Sequence, residues 1–470
     1  MSQSLIDTCL AALGAPPDGG LPGLLSRTTL DRFELLQTPG LWGHDPADNS
    51  YWLPTGGAAA PIPAASRRLL AALEDAIAEA ESLVDIASLE PFASGEFAAA
   101  IRRGLARAAS RGQPLTIRIL YGRHRFVQQT DADFEASIRD LAADIPHAAD
   151  IRLHACRMET SNHPASPSWN HAKIVAADGR RVILGGHNLW HADYLAFAPV
   201  HDVSALIDGQ AAGEAHAFLD HLWAWVGRQL ASPSAEGSVT SIRWTQGRIE
   251  PAGPPAAAVR DAMPVGRIPA LAIGRLGSGV LSDPRLANVA AAVAAIAFRK
   301  ARESIRISQM DFGFHWDGVN FWSADVDAAL ADVVTDPARR VEVMLVLSEP
   351  GAKAASGAPY SFGTTIADIV AEMRRVIGDR PVTGRMQIAP LRFSSRGDRW
   401  ARNGVELKII NHAKVWIVDD RAFHVGSDNL YPHNLQEFGT LIESDELTRR
   451  FVADYWAPLW SFSSRAAVTV

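Results

Sequence analysis

His171, Lys173 and Asp178 stand in the stretch HAKIVAAD (171–178). His412, Lys414 and Asp419 repeat that spacing in HAKVWIVD (412–419), 241 residues later. In an extended segment residues i and i+2 project to one face, so each histidine travels with its lysine. Soon after each motif comes a glycine turn ending in an asparagine, GGHN with Asn188 and GSDN with Asn429. Two ammoniums and two side-chain amides are a donor set suited to the charge that develops on a phosphoryl group in the transition state. Two imidazoles supply what remains of a displacement at phosphorus, one nucleophile and one general acid. No carboxylates cluster here with metal-ligand spacing and a phosphodiester needs no redox partner, so neither metal nor cofactor is expected.

A single HxK on a strand is weak evidence, usually of nothing. Two copies in register are different, because buried imidazoles, ammoniums and amides are costly unless partnered. Lysine usage points the same way. Of 45 basic residues only Lys173, Lys300, Lys353, Lys408 and Lys414 are lysine, and two of these five occupy the motifs. Where arginine is otherwise preferred, a compact ammonium has been kept twice. Asp178 and Asp419 close the motifs at turns, where Asp has a sufficient structural explanation. They are read as architectural, with a direct role as the alternative.

The elements that must hold these residues also come twice. In the first half, a helix with Leu69, Leu73 and Ile77 on one face precedes a strand at 82–89. A helix near 94–111, a strand at 114–122, a helix near 131–143 and a strand at 150–156 follow. Then HAKIVAADGRRVILGG reads as two strands joined at Asp178-Gly179. The second half repeats the order: helix 284–303, strand 304–310, helix 322–333, strand 340–347, helix 364–377 and strand 386–391 lead into the second motif. Strands alternating with helices at this spacing predict an α/β fold of two similar α-β-α sandwich lobes. Packed about a pseudo-twofold axis, they would share one site at their interface. The lobes are expected at 1–240 and 241–470, with the Ser/Pro/Gly-rich stretch 231–255 as connector.

Bulk properties set limits. A chain of 470 residues exceeds one ordinary core. With 47% hydrophobic and 21% charged residues it has the profile of a globular protein. No apolar run reaches the length of a membrane span, and VAAAVAAIAF (289–298) reads as a buried helix. A net charge of −7 does not suggest a nucleic-acid partner, although a local basic groove can hide in an acidic total. Cys9 and Cys156 are too few for a disulfide framework, and the start lacks a signal peptide. A cytoplasmic location, or export by a non-classical route, is expected.

On these motifs the chain resembles the phospholipase D superfamily, marked by a doubled HxKxxxxD. More narrowly it is similar to the secreted actinobacterial phospholipase D enzymes, through LLQTPGLWG (35–43), SWNHAKIVAADG (168–179), HDVSALIDG (201–209), IPALAIGRLGSG (268–279), RFSSRGDRW (392–400) and HVGSDNLYPHNLQEFGTLIES (424–444). The resemblance implies that His171 attacks phosphorus and that His412 protonates the departing alcohol, then activates water or a second alcohol. It places Lys173, Lys414, Asn188 and Asn429 at phosphate-holding positions. It also implies a carboxylate orienting each histidine. Asp202 falls 31 residues after His171, and Glu437 falls 25 after His412, where relatives commonly have Asp. Such a partner on Nδ1–H would fix the tautomer and free Nε2.

The same resemblance places Trp190, Tyr194 and Tyr360 in a cage for a choline-type ammonium, against core packing as the bland alternative. The aromatic run DFGFHWDGVNFW (311–322) either touches a lipid surface or packs beside the cleft. One departure concerns compartment, since Leu41 stands where the secreted relatives carry a cysteine.

The expected activity is hydrolysis of phosphatidylcholine or phosphatidylethanolamine to phosphatidic acid through a phosphohistidine, with transphosphatidylation to alcohols. The substrate would be a phospholipid at a membrane or micelle surface and the enzyme a monomer. Alternatives are a nuclease of the same superfamily, a phosphatidylserine synthase-like phosphatidyltransferase, or a non-catalytic lipid-binding scaffold.

Overall fold

The structure, a computed structural model, describes residues 4–15, 20–48, 61–124, 127, 129–164, 166–258, 265–277, 279–280 and 288–470. Its centre is two sheets built to one plan. The strands that carry the argument are β1 (Leu25–Leu30), β2 (Arg32–Thr38), β3 (Leu83–Leu89), β4 (Leu115–Gly122), β5 (Ile151–Ser161), β6 (Ile174–Ala177), β7 (Arg181–Gly185) and β8 (Asp202–Asp208). They continue with β9 (Ser238–Thr245), β10 (Arg248–Pro251), β11 (Ile268–Arg275), β12 (Ser304–Ser308), β13 (Glu342–Leu347) and β14 (Arg385–Pro390). The last three are β15 (Val415–Val418), β16 (Ala422–Gly426) and β17 (Glu437–Glu443).

The first sheet runs β2-β8-β7-β6-β3-β4-β5-β9-β10, and the second runs β1-β11-β17-β16-β15-β12-β13-β14 with short edge strands at each end. Position by position, β2-β8-β7-β6-β3-β4-β5 matches β11-β17-β16-β15-β12-β13-β14. The α/β fold with two similar lobes is therefore present. In each, the central parallel strands are covered on both faces by helices, and all seven residues of β3 are buried, Asp85 among them as the partner of Arg118 on β4. Leu69, Leu73 and Ile77 face inward from the Ala64–Ala78 helix. The 289–298 segment is part of the Val289–Arg299 helix, packed in the core. Residues 284–287, where the sequence suggests that helix starts, and Ser278 lie outside the described residues. No helix among the described residues is long and apolar enough to cross a membrane. Cys9 and Cys156 are both buried free thiols.

Sheet membership departs from a division at residue 240 in two ways. β1 pairs with β11, so the N-terminal strand belongs to the second sheet. The Leu5–Ala12 helix is held there too, because Glu443 accepts from the Leu5 and Ile6 amides at 2.8 and 3.1 Å. The stretch expected as connector is instead a hairpin, β9–β10, hydrogen-bonded to β5 of the first sheet. Its Ser and Gly content suggested a loop, but Ile242 and Trp244 alternate inward and are buried.

Candidate active site

Both motifs enter their strands at the seam between lobes. Asn170 forms a parallel bridge with Gln436, and Asn411 forms one with His201. The His171 amide donates to the Gln436 carbonyl at 2.9 Å, and the His412 amide to the His201 carbonyl at 2.7 Å. Gln436 immediately precedes Glu437 and His201 precedes Asp202. The seam register therefore lays each carboxylate against the histidine of the opposite lobe. His171 Nδ1–H donates to Glu437 Oε1 at 2.7 Å, and His412 Nδ1 and Asp202 Oδ2 share a hydrogen bond of 2.7 Å. The pairing expected from the sequence, each acid with the histidine of its own motif, is corrected here. The physical reason is strand register across the seam, not distance along the chain. With Nδ1 committed, each imidazole keeps Nε2 for chemistry.

Lys173 and Lys414 are buried, and each ammonium donates to the carbonyl of its own motif histidine. Asn188 and Asn429 follow β7 and β16, whose last residues Gly185 and Gly426 donate to the Lys173 and Lys414 carbonyls at 3.3 Å. The Oδ1 atoms of both asparagines are buried without a hydrogen-bond partner among the described residues. Gly186 explains the double glycine of the first turn. A Cβ there would lie 2.0 Å from Asp202 Oδ1, so any side chain would displace the carboxylate that orients His412.

Burial dominates the electrostatics. It holds both His171 and His412 well below the ordinary imidazole range, with Lys173 and Lys414 pressing the same way. Burial also lowers Lys173 to about 7 and Lys414 to about 8. Asp202 and Glu437 are each pushed up to about 7 by burial, against the pull of Lys414 and Lys173 on Asp202 and of His433 and Lys173 on Glu437. His412 interacts with Lys414, Lys173 and His171, so the two motifs share one electrostatic site. Such an arrangement keeps imidazoles neutral and nucleophilic and stores exchangeable protons on the carboxylates.

Asp178 and Asp419 sit elsewhere. Asp178 accepts from the amides of Glu81, Ser82 and Leu83 at 2.7–2.9 Å, and Asp419 from those of Arg302, Glu303 and Ser304 at 2.9–3.2 Å. Both have positive φ, 54° and 53°, at the turn after the motif strand. Each ties that hairpin to the junction where a helix passes into the neighbouring strand, β3 for Asp178 and β12 for Asp419. Asp178→Ala is expected to lower stability by roughly 1–3 kcal/mol, the cost of losing a capping-type acceptor. Urea titration alongside turnover per folded molecule checks this: a turnover loss with stability unchanged gives Asp178 a direct role.

The three aromatics do not form one open cage. Tyr194 is fully buried, its hydroxyl donating to Asp202 Oδ2 at 3.1 Å and lying 3.1 Å from His412 Nδ1. It stands behind the histidine, where its geometry positions the pair. Tyr360 packs edge-on to His412, ring centroids 4.9 Å apart, and donates to Asp193 Oδ2 at 2.8 Å. Trp190 is half-buried and donates to the Pro91 carbonyl at 2.6 Å. The loop bearing Tyr360 is pinned by Asp311, which accepts from Ser361 Oγ at 3.0 Å and from the Phe362 amide at 2.6 Å. The aromatic run does two things at once. Phe314 packs inward on Phe362 and Tyr431, while Trp316, Val319 and Phe321 of the hairpin Phe314–Trp316/Val319–Phe321 are exposed.

Sequence reasoning missed several supports. Ser427 donates to Glu437 Oε2, and His433 Nε2 lies 3.8 Å from Glu437 Oε1. His187 bridges Thr38 and Ser204 at 3.0 and 2.7 Å. His187 and His433 stand in the GGHN and NLYPHNLQEFG stretches, which were the available signal.

A two-lobed fold with paired imidazoles and ammoniums on one seam is the architecture of an enzyme acting on phosphodiesters. No protein-family model matches the chain. It is 30% identical to a phospholipase D of Streptomyces antibioticus, covering 93% of this chain and 82% of that protein. The chain belongs to the phospholipase D family. Among solved structures, a phosphatidylserine synthase of Haemophilus influenzae Rd KW20 superposes with a TM-score of 0.52 at 13% identity. That match covers 99% of this chain and 92% of the other, and it is a likeness of fold.

Proposed function

We propose that the chain is a phospholipase D that cleaves phosphatidylcholine or phosphatidylethanolamine to phosphatidic acid and the headgroup alcohol, and that it transfers the phosphatidyl group to added alcohols. The observation that carries this reading is the crossed pair of carboxylate–imidazole contacts on one buried, lysine-flanked seam. His171 Nε2 attacks phosphorus, its Nδ1–H held by ionised Glu437. The bond from phosphorus to the headgroup oxygen breaks, and that oxygen takes the proton from His412 Nε2. Asp202, protonated at the start, passes its proton to His412 Nδ1, so the pair donates without a free imidazolium in the buried site. Water or an alcohol then gives its proton back to His412 Nε2 and attacks phosphorus, releasing His171. Lys173, Lys414, Asn188 and Asn429 hold the phosphoryl oxygens.

This scheme fixes a pH response. Glu437 must be ionised, so activity falls as pH drops below its value of about 7. The His412–Asp202 pair must keep its proton and the lysines their charge, so activity also falls as pH climbs past about 7 for Asp202 and Lys173 and about 8 for Lys414. A narrow bell in kcat/KM peaking near neutrality is expected with a soluble diester. A flat profile over about two units either side of neutrality contradicts the assignment.

The direct test is product analysis on a panel of phospholipids with and without an added alcohol. Phosphatidic acid alone, and the phosphatidyl-alcohol when alcohol is present, is the expected pattern. Cleavage of plasmid DNA with no action on lipid, or product only from an activated lipid diphosphate and serine, reassigns the substrate to the nuclease or phosphatidyltransferase alternative.

A further inference from the structure

A cavity of about 540 Å³ lies outside the catalytic cluster, where the Ala324–Val334 and Ile366–Ile377 helices meet the foot of the aromatic hairpin. Asn320, Phe321, Trp322, Asp327, Glu372 and Arg375 are among its lining residues. Asp327 is 1% exposed, yet both carboxylate oxygens are buried without a hydrogen-bond partner among the described residues. A buried carboxylate with no donor is costly and points to a missing partner. Glu372 is already held by Arg375 at 2.6 and 2.7 Å, so the guanidinium reaches Asp327 only through space and leaves it without a hydrogen-bond donor among the described residues.

The remaining walls decide what that partner is. A divalent metal asks for six or more oxygen ligands, and this cavity offers one unengaged carboxylate beside two aromatic rings. One negative charge with aromatic faces is the chemistry that holds an organic ammonium. From this we infer a second binding site, centred on Asp327 and walled by Phe321 and Trp322, for an alkylammonium group such as that of a choline- or ethanolamine-bearing molecule. Arg375, whose side chain is 70% exposed, stands at the same cavity, where the phosphate of such a zwitterion would meet a guanidinium. Trp316, Val319 and Phe321 stand exposed on the adjoining hairpin, so a lipid headgroup is the source the surface favours. Burial and the neighbouring Glu372 push Asp327 up to about 7 against the pull of Arg375, so binding strengthens as pH rises through neutrality and the carboxylate ionises.

The identification of a lipid source rests on the proposed function; the site itself does not. The test is calorimetric titration of the full chain and of Asp327→Asn with phosphocholine, choline and calcium, at about pH 8 where an acid of this value is ionised. The variant is expected to bind phosphocholine at least about tenfold more weakly at one class of site, a difference of about 1.4 kcal/mol. Phe321→Ala, which leaves the acid in place, weakens it too. Turnover of the soluble diester bis(p-nitrophenyl) phosphate stays at the parent level, so failure of the catalytic reading is seen separately. Sedimentation with phosphatidylcholine and phosphatidylglycerol vesicles identifies the source. Loss of the phosphatidylcholine preference in Asp327→Asn supports a lipid headgroup, and loss confined to free phosphocholine supports the site with a soluble amine. Identical titrations for parent and variant, or a cavity that takes calcium and no ammonium, overturn it.

Discussion

Asn in place of His171 is expected to abolish headgroup release, with kcat falling by on the order of 10⁴-fold or more, as when a covalent nucleophile is lost. The fold should survive. His171 is 8% exposed, its one side-chain hydrogen bond among the described residues is to Glu437, and Asn is smaller and neutral. Its backbone amide, which bonds across the seam to Gln436, is untouched. The parent enzyme, quenched in acid during turnover, should carry phosphate on His171, and the variant none. Phosphate found on His412 of an active parent would exchange the roles of the two histidines.

The second large effect separates the two acids. Because Glu437 contacts His171 and Asp202 contacts His412, Glu437→Gln should slow formation of the phosphoenzyme, and Asp202→Asn its breakdown. Each should cost about 10²–10⁴-fold in steady-state kcat, the range for losing a positioned acid-base partner. They differ before the steady state. With a p-nitrophenyl diester, whose leaving group needs little protonation, Asp202→Asn should release one equivalent of nitrophenolate in a burst and then stall. Glu437→Gln should show no burst. The reverse result would place each acid with the histidine of its own motif and contradict the crossed geometry.

That crossing marks where the sequence stopped being informative. The spacing of His171 with Lys173 and of His412 with Lys414, and the helix-strand alternation around them, depend on neighbours in the chain and could be read directly. Which acid meets which histidine depends on bridges such as Asn411 to His201, between residues 210 positions apart, and no local pattern encodes that register. Tyr194 illustrates a second limit. An aromatic near a proposed site looks like a pocket wall until burial shows its hydroxyl committed to Asp202. The β9–β10 hairpin illustrates a third, since Ser and Gly at 231–238 hid the inward alternation of Ile242 and Trp244 just beyond. Asp178 and Asp419 were legible in part: turn chemistry marks their positions, whereas the amides they accept from, such as those of Ser82 and Glu303, lie 96 and 116 residues earlier.

The exchange of acids also makes the halves chemically interdependent. Neither half, produced alone, would own a finished reactive centre: each would carry an imidazole stripped of its counter-acid and an acid with nothing to orient. Prying the halves apart by even one bond length would disarm both imidazoles together, so the molecule works as an undivided machine although its blueprint was written twice.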